Sequence, residues 1–135
     1  MPYKINVSSA GKTLKYETEN ENLAGTLIGG KISGSEISGD LNGYELEITG
    51  TSDKAGFPGF PEQKGPQLRK VLLKRGRGMW DKRKGVRLRK SVRGNEISSS
   101  TVQINTKVLK EGGKKFDELF SKVHEQAAEA EQKQA

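Results

Sequence analysis

Tyr3-Lys4-Ile5-Asn6-Val7-Ser8-Ser9-Ala10-Gly11-Lys12-Thr13-Leu14-Lys15-Tyr16-Glu17 sets apolar residues at 3, 5 and 7 and again at 14 and 16, with polar residues between them. Successive strand side chains point to opposite faces, so this period of two gives two strands, each with one dry face, around an Ala10-Gly11-Lys12 turn. Downstream, glycines at 25, 29, 30, 34, 39 and 43 divide Leu27, Ile28, Ile32, Ile37 and Leu41 into short strands and tight bends. Tyr44, Leu46 and Ile48 then alternate with Glu45, Glu47 and Thr49, which puts the acids on one strand face and the apolar groups on the other. Further strands are expected at Val71 to Leu73, Val86 to Leu88 and Val102 to Val108, the last alternating through Ile104 and Thr106. Many short strands separated by glycine turns predict a mainly β fold, a small closed or half-closed antiparallel β-barrel, because closure removes exposed edges. After Gly112-Gly113 the period changes. Phe116, Leu119, Phe120, Val123 and Ala127 recur at three and four residues, predicting a C-terminal helix over 113–135 that packs by its first turns and frays at its acidic end.

Charge is distributed unevenly along this framework. Residues 64–93 hold thirteen lysines and arginines against one acid, Asp81, a net charge of +12, while residues 1–63 carry −4 and residues 94–135 carry −1. Scattered surface lysines are commonplace, but excess charge gathered into one run marks a binding surface for a polyanion, most commonly nucleic acid. Glycines at 65, 76, 78, 85 and 94 interrupt the run, so it forms loops and short strands and not an amphipathic helix on a membrane. Candidate nucleic-acid contacts are Lys64, Arg69, Lys70, Lys74, Arg75, Arg77, Trp80, Lys82, Arg83, Lys84, Arg87, Arg89, Lys90 and Arg93. Along Val86-Arg87-Leu88-Arg89, strand alternation seats Val86 and Leu88 in the core and turns both arginines outward, where the planar guanidinium grips phosphate bidentately. Two readings stand for Trp80, the only tryptophan: it stacks on an unpaired base, or it covers an edge of the small core.

The chain length of 135 residues fits one domain with an appended element: residues 1–112 as a β-barrel RNA-binding domain that includes the basic segment 64–93, and 113–135 as the helix. Leu, Ile, Val and Phe make 29 of the 135 residues, so the core is small and part of the chain's order comes from a partner. The absence of cysteine excludes disulfides and thiolate metal sites. No stretch approaches the roughly eighteen apolar residues of a membrane span, and no apolar leader stands at the N-terminus, so a soluble intracellular protein, monomeric when free, is expected.

Several motifs read as structure and not as chemistry. Gly25-Thr26-Leu27-Ile28-Gly29-Gly30-Lys31 has phosphate-loop spacing, but Ile32 stands where a Ser or Thr would meet magnesium, and no helix follows. His124 falls on the helix beside Glu125 as a surface residue, and Glu17, Glu19 and Glu21 form a solvated strand end. No catalytic set, cofactor, metal or small-molecule substrate is expected. In Asp53-Lys54-Ala55-Gly56-Phe57-Pro58-Gly59-Phe60-Pro61, each phenylalanine precedes a proline and is pushed to extended backbone, so the loop is stiff. Phe57 is expected to pack onto the barrel and present the basic segment; the alternative is direct insertion of either ring into RNA.

Ile48-Thr49-Gly50-Thr51-Ser52-Asp53-Lys54-Ala55-Gly56-Phe57-Pro58 resembles the signature of the ribosomal protein S-six-e family, the small-subunit protein six of archaea and eukaryotes. Lys64-Gly65-Pro66 with Arg69 and Val71-Leu72-Leu73, then Lys82-Arg83-Lys84-Gly85-Val86-Arg87-Leu88-Arg89-Lys90-Ser91-Val92-Arg93-Gly94-Asn95, then Val102-Gln103-Ile104-Asn105, follow that family's order. The likeness runs from the N-terminal hairpin to about Val108. Thr51 and Gly59 depart from it, where the family usually has a glycine and a methionine. Eukaryotic members continue into a basic tail with phosphorylated serines, and the acidic Ala/Glu/Gln stretch here implies an archaeal type without that control. The resemblance implies a non-catalytic β-barrel protein of the cytoplasmic ribosome. Such a protein binds small-subunit ribosomal RNA, serves assembly and architecture, and has neighbouring ribosomal proteins as further contacts. The alternative on composition is a free-standing basic β-barrel that binds nucleic acid, a translation factor or a chromatin-type protein.

Overall fold

β1 (Tyr3–Ser9) and β2 (Lys12–Thr18) pair antiparallel, with Ile5 opposite Tyr16 and Val7 opposite Leu14, in a computed structural model that describes residues 2–134. Ala10 and Gly11 have φ of 50° and 80°, the signature of a type I′ turn, whose twist matches that of the strands it joins. The remaining elements are β3 (Lys31–Ser33), β4 (Glu45–Asp53), β5 (Leu68–Leu73), β6 (Leu88–Arg93), β7 (Thr101–Lys110) and α1 (Phe116–Gln134). Five strands form one sheet in the order β2-β1-β7-β4-β3, and β5 with β6 makes a separate two-stranded ribbon.

The expectation of a mainly β fold with a C-terminal helix holds, but the sheet is open and one pairing, β1 with β7, is parallel. Closure is not needed here because the edges are blunted in other ways. β3 is only three residues long, and at the other edge Lys12 of β2 reaches α1, its Nζ 2.7 Å from Asp117 Oδ1 and 5.4 Å from the Phe120 ring centre.

The core lies on one face of the five-stranded sheet. Ile5, Val7, Leu14, Tyr44, Leu46, Ile48 and Ile104 supply it by strand alternation, and Glu45 and Glu47 stay on the opposite face. Leu23 and Leu41, both fully buried on short 3-10 turns, close it from the glycine-rich segment. Phe116 and Leu119 of α1 join the same core, whereas Val123 is exposed, so the helix docks by its first turns as its period predicts. The Tyr44 hydroxyl donates to the Lys114 carbonyl and fixes the chain entering that helix.

β4 carries the link to the ribbon. A bulge between Ile48 and Gly50 shifts its register against β7, and bulges bend a strand and raise its twist. Beyond the bulge, β4 pairs with the Gly-Phe-Pro segment: the Gly59 amide donates to the Thr51 carbonyl at 3.0 Å, and Ser52 bridges Pro58. That segment in turn pairs with β6, since the Arg93 amide donates to the Pro58 carbonyl at 2.8 Å and the Phe60 amide to the Arg93 carbonyl at 2.9 Å. Phe60, not Phe57, is the phenylalanine that becomes buried. Both precede proline, but only Phe60 has its amide locked against β6.

Candidate nucleic-acid interface

Asp53, the last residue of β4, roots the ribbon. Its Oδ1 accepts the Ala55 and Phe57 amides, each at 2.9 Å, which folds the loop back over the carboxylate in an Asx turn. Its Oδ2 accepts two bonds from the Arg93 guanidinium, Nη2 at 2.9 Å and Nε at 3.2 Å, and Arg93 Nη1 donates to the Pro66 carbonyl at 3.2 Å. The Asp53 side chain is 2% exposed and that of Arg93 19%. Burial pushes the Asp53 carboxyl up, but the Arg93 hydrogen bonds and charge and the two amides outweigh it and hold the group below its ordinary range. Arg93, expected as a nucleic-acid contact, has these internal partners. Its guanidinium is committed inside the protein.

From this root the ribbon stands away from the core. On one face Val92 is buried, Val71 and Leu73 are half-buried, and a Cβ placed on Gly78 would lie 2.7 Å from the Phe60 ring and 3.4 Å from Leu73 Cδ1. The other face bears Leu68, Lys70 and Leu72 opposite Arg93, Ser91 and Arg89, and both leucines are exposed. The expectation for Val86 and Leu88 fails. Leu88 opens β6 and is 41% exposed, and Val86 is half-buried in the loop before it, because no apolar layer from the sheet reaches that far.

Lys64, Arg69, Lys70, Lys74, Arg75, Arg77, Lys82, Arg83, Lys84, Arg87, Arg89 and Lys90 are all exposed, and Trp80 is 93% exposed. Arg83 grips Asp81 bidentately, with Nη2 to Oδ2 at 2.7 Å and Nε to Oδ1 at 3.1 Å. The hydrogen bonds from Arg83 lower the Asp81 pKa and Asp81 raises that of Arg83. With Arg83 and Arg93 taken, the other eleven cations of the segment form no ion pair among the described residues. Four of them, Lys74, Arg75, Lys84 and Arg87, line a cleft of about 470 Å³ between the two arms of the ribbon, together with Gly85 and Val86. A second cleft of about 470 Å³, beside Tyr3, Glu19 and Glu21, has the wrong charge for the same ligand.

The glycine loop at 25–31 is no phosphate cradle. Its amides already donate to the chain: Gly25 to Ile97, Ile28 to Asn95, Gly29 to Ile48 and Gly30 to Leu27 carbonyls. His124 is exposed and its ring lies 4.3 Å from that of Phe120. Sequence reasoning missed the anchoring role of Asp53, although an Asp two residues before Ala55 and four before Phe57 in a Gly-Pro loop is an Asx-turn signal. It also missed the exposed Leu68 and Leu72. Among the described residues no helix is long and apolar enough to cross a membrane.

The profile of the ribosomal protein S6e family matches residues 1–121. A small ribosomal subunit protein eS6 of Methanococcus maripaludis is 47% identical over 83% of this chain and 90% of its own length. Its counterpart from Methanosphaera stadtmanae is 41% identical over 96% of this chain and 100% of its own length. The protein of the same name from Methanocaldococcus jannaschii is 43% identical over 82% of each. The match takes in the sheet, the Asp53 root and the whole cationic ribbon, and on that extent the chain belongs to the ribosomal protein S6e family.

Proposed function

We propose that this protein is a structural, non-enzymatic constituent of the small ribosomal subunit, of archaeal type, that binds ribosomal RNA through the β5–β6 ribbon and supports subunit assembly. The observation that carries the reading is the ribbon itself: a two-stranded element, rooted by Asp53 and Arg93, that with its loop carries ten cations that form no ion pair among the described residues away from the core. Isolated two-stranded ribbons are marginal in water, and like charges along this one repel, so a polyanion supplies both its counter-charge and its support. Lysines and arginines along both arms neutralise phosphates and release counterions, and the arginines add bidentate grip. An A-form helix hides its base edges in a narrow major groove, so specificity comes from the shape of the RNA junction. The place of work follows from the ribosome, in the cytoplasm, with neighbouring ribosomal proteins as further contacts.

If six to ten phosphates are neutralised, affinity for small-subunit RNA falls by about a thousandfold or more between about 50 and 200 mM salt. Retardation of the RNA over a salt series measures this, and a flat response rejects the reading. Sedimentation separates it from a free-standing factor: a ribosomal constituent is found in near-equal amount with the small subunit and survives a moderate salt wash. A factor is substoichiometric or washes off.

A further inference from the structure

The loop between Leu73 and Leu88 carries the most exposed large apolar group among the described residues. Trp80 is 93% exposed, which removes the reading of it as a cover for the core. Its backbone neighbours are nevertheless fixed. The Met79 amide donates to the Gly76 carbonyl at 3.2 Å, closing a turn just before it. Gly78, at φ 77°, lies so close to the Phe60 ring that any side chain there would clash. On the far side Asp81 accepts both the guanidinium and the backbone amide of Arg83, the latter at 3.0 Å. The indole is thus presented to solvent between two pinned positions, and a preorganised apolar group in water marks a contact for a partner.

The loop states the charge of that partner. Residues 74–87 hold seven lysines and arginines and one acid, and the acid is consumed by Arg83. A planar aromatic set among cations is the combination that holds single-stranded nucleic acid, where bases stack on the ring and the backbone follows the charge. A fully paired A-form helix offers no base face to an indole, since each base is already stacked on its neighbours.

We infer that Trp80 is a stacking platform for one unpaired base of the bound RNA, with the flanking backbone drawn into the cleft lined by Lys74, Arg75, Lys84 and Arg87. This rests on the RNA-binding reading above and adds to it the feature of the RNA that the ribbon tip selects. A protein partner would need an acidic surface to meet the same loop, and that is an outcome the test can return.

Trp80 is the sole tryptophan, so its fluorescence reports its own contact and nothing else. The full chain is titrated with single-stranded oligoadenylate and with a fully paired RNA duplex of equal length, and binding is followed in parallel by retardation. Oligoadenylate quenches the emission as it binds, whereas the duplex binds without quenching. Trp80→Ala weakens oligoadenylate binding about tenfold or more and Trp80→Phe keeps most of it, because a phenyl ring still stacks. Trp80→Ala weakens duplex binding far less than oligoadenylate binding, because the indole stacks only on an unpaired base. The inference is overturned if bound oligoadenylate does not quench, if the duplex quenches equally, or if Trp80→Ala binds oligoadenylate as tightly as the native chain. Should neither RNA bind, the RNA-binding reading itself falls, and an acidic protein partner takes its place.

Discussion

Asp53 uses its carboxylate four times, for two amides and two guanidinium N–H groups, and almost none of it meets solvent. Taking Asp53→Asn removes the charge but leaves Arg93 buried beside a neutral partner, and breaking such a pair costs about 3 kcal/mol. The expected result is a clear drop in the urea midpoint at neutral pH, with the same drop for Arg93→Gln. Because the folded carboxyl is more acidic than the unfolded one, its stabilisation is complete above an ordinary aspartate pKa of about 4. It is lost as pH falls through the lower folded value. The native protein should therefore weaken below about pH 4 by more than Asp53→Asn does, and parallel acid profiles of the two would refute the assignment. Gly59 and Thr51 offer a second check nearby. A Cβ at 59 would collide with Thr51 Oγ1 and come within 2.8 Å of Ile28 Cδ1. The hydroxyl at 51 thus occupies the space that a side chain at 59 would need. Gly59→Ala should cost about 2 kcal/mol alone and distinctly less in a Thr51→Gly background, with a coupling of about 1 kcal/mol in the double-mutant cycle.

The elements that could be read from the residues are those with one dry face. Tyr3, Ile5 and Val7, then Tyr44, Leu46 and Ile48, and then Ile104 and Thr106 alternate strictly, and each set is buried where the alternation puts it. The helix was legible for the same reason at a period of three to four. The ribbon was not. Leu68-Arg69-Lys70-Val71-Leu72-Leu73 and Val86-Arg87-Leu88 mix apolar and charged residues without a consistent dry face, because both faces stand largely in water. Local pattern was also silent on the parallel β1–β7 pairing, which joins residues about a hundred positions apart, and it pointed to Phe57 where Phe60 is the phenylalanine that is buried. Of the candidate site, the cations were legible as charge, while the pairing of Arg93 was not, since it depends on Asp53 forty residues earlier. The uneven burial of α1 gives a prediction of the same kind. Phe116→Ala empties a core position and should cost about 3 kcal/mol, whereas Val123→Ala, on the exposed part of the helix, should shift the denaturation midpoint by less than about 0.5 kcal/mol. A large effect at Val123 would mean that the outer turns pack against something within the chain.

Sheet and ribbon divide two tasks that oppose each other electrostatically. The sheet holds the small core and nearly balanced charge, and the ribbon holds the excess that a polyanion needs. In the free protein that excess is a source of strain, because unpaired cations on two adjacent strands repel across a few ångströms of water-exposed ribbon. Salt screens the repulsion, so the stability of the free chain should rise as ionic strength goes from low to physiological, while its affinity for RNA falls over the same range. Neutralising Lys74, Arg75, Lys84 and Arg87 together to glutamine should flatten both trends at once. The slope of log affinity against log salt should shrink by about 3 to 4, and the urea midpoint at low salt should rise or hold, since all four side chains are exposed. The same replacement at Lys4, Lys15 and Lys107, exposed cations on the outer face of the sheet, should leave the RNA slope nearly unchanged. If the sheet lysines carried as much of the slope as the ribbon cations, the RNA would lie across the sheet, and the ribbon would lose its claim to be the element that meets it.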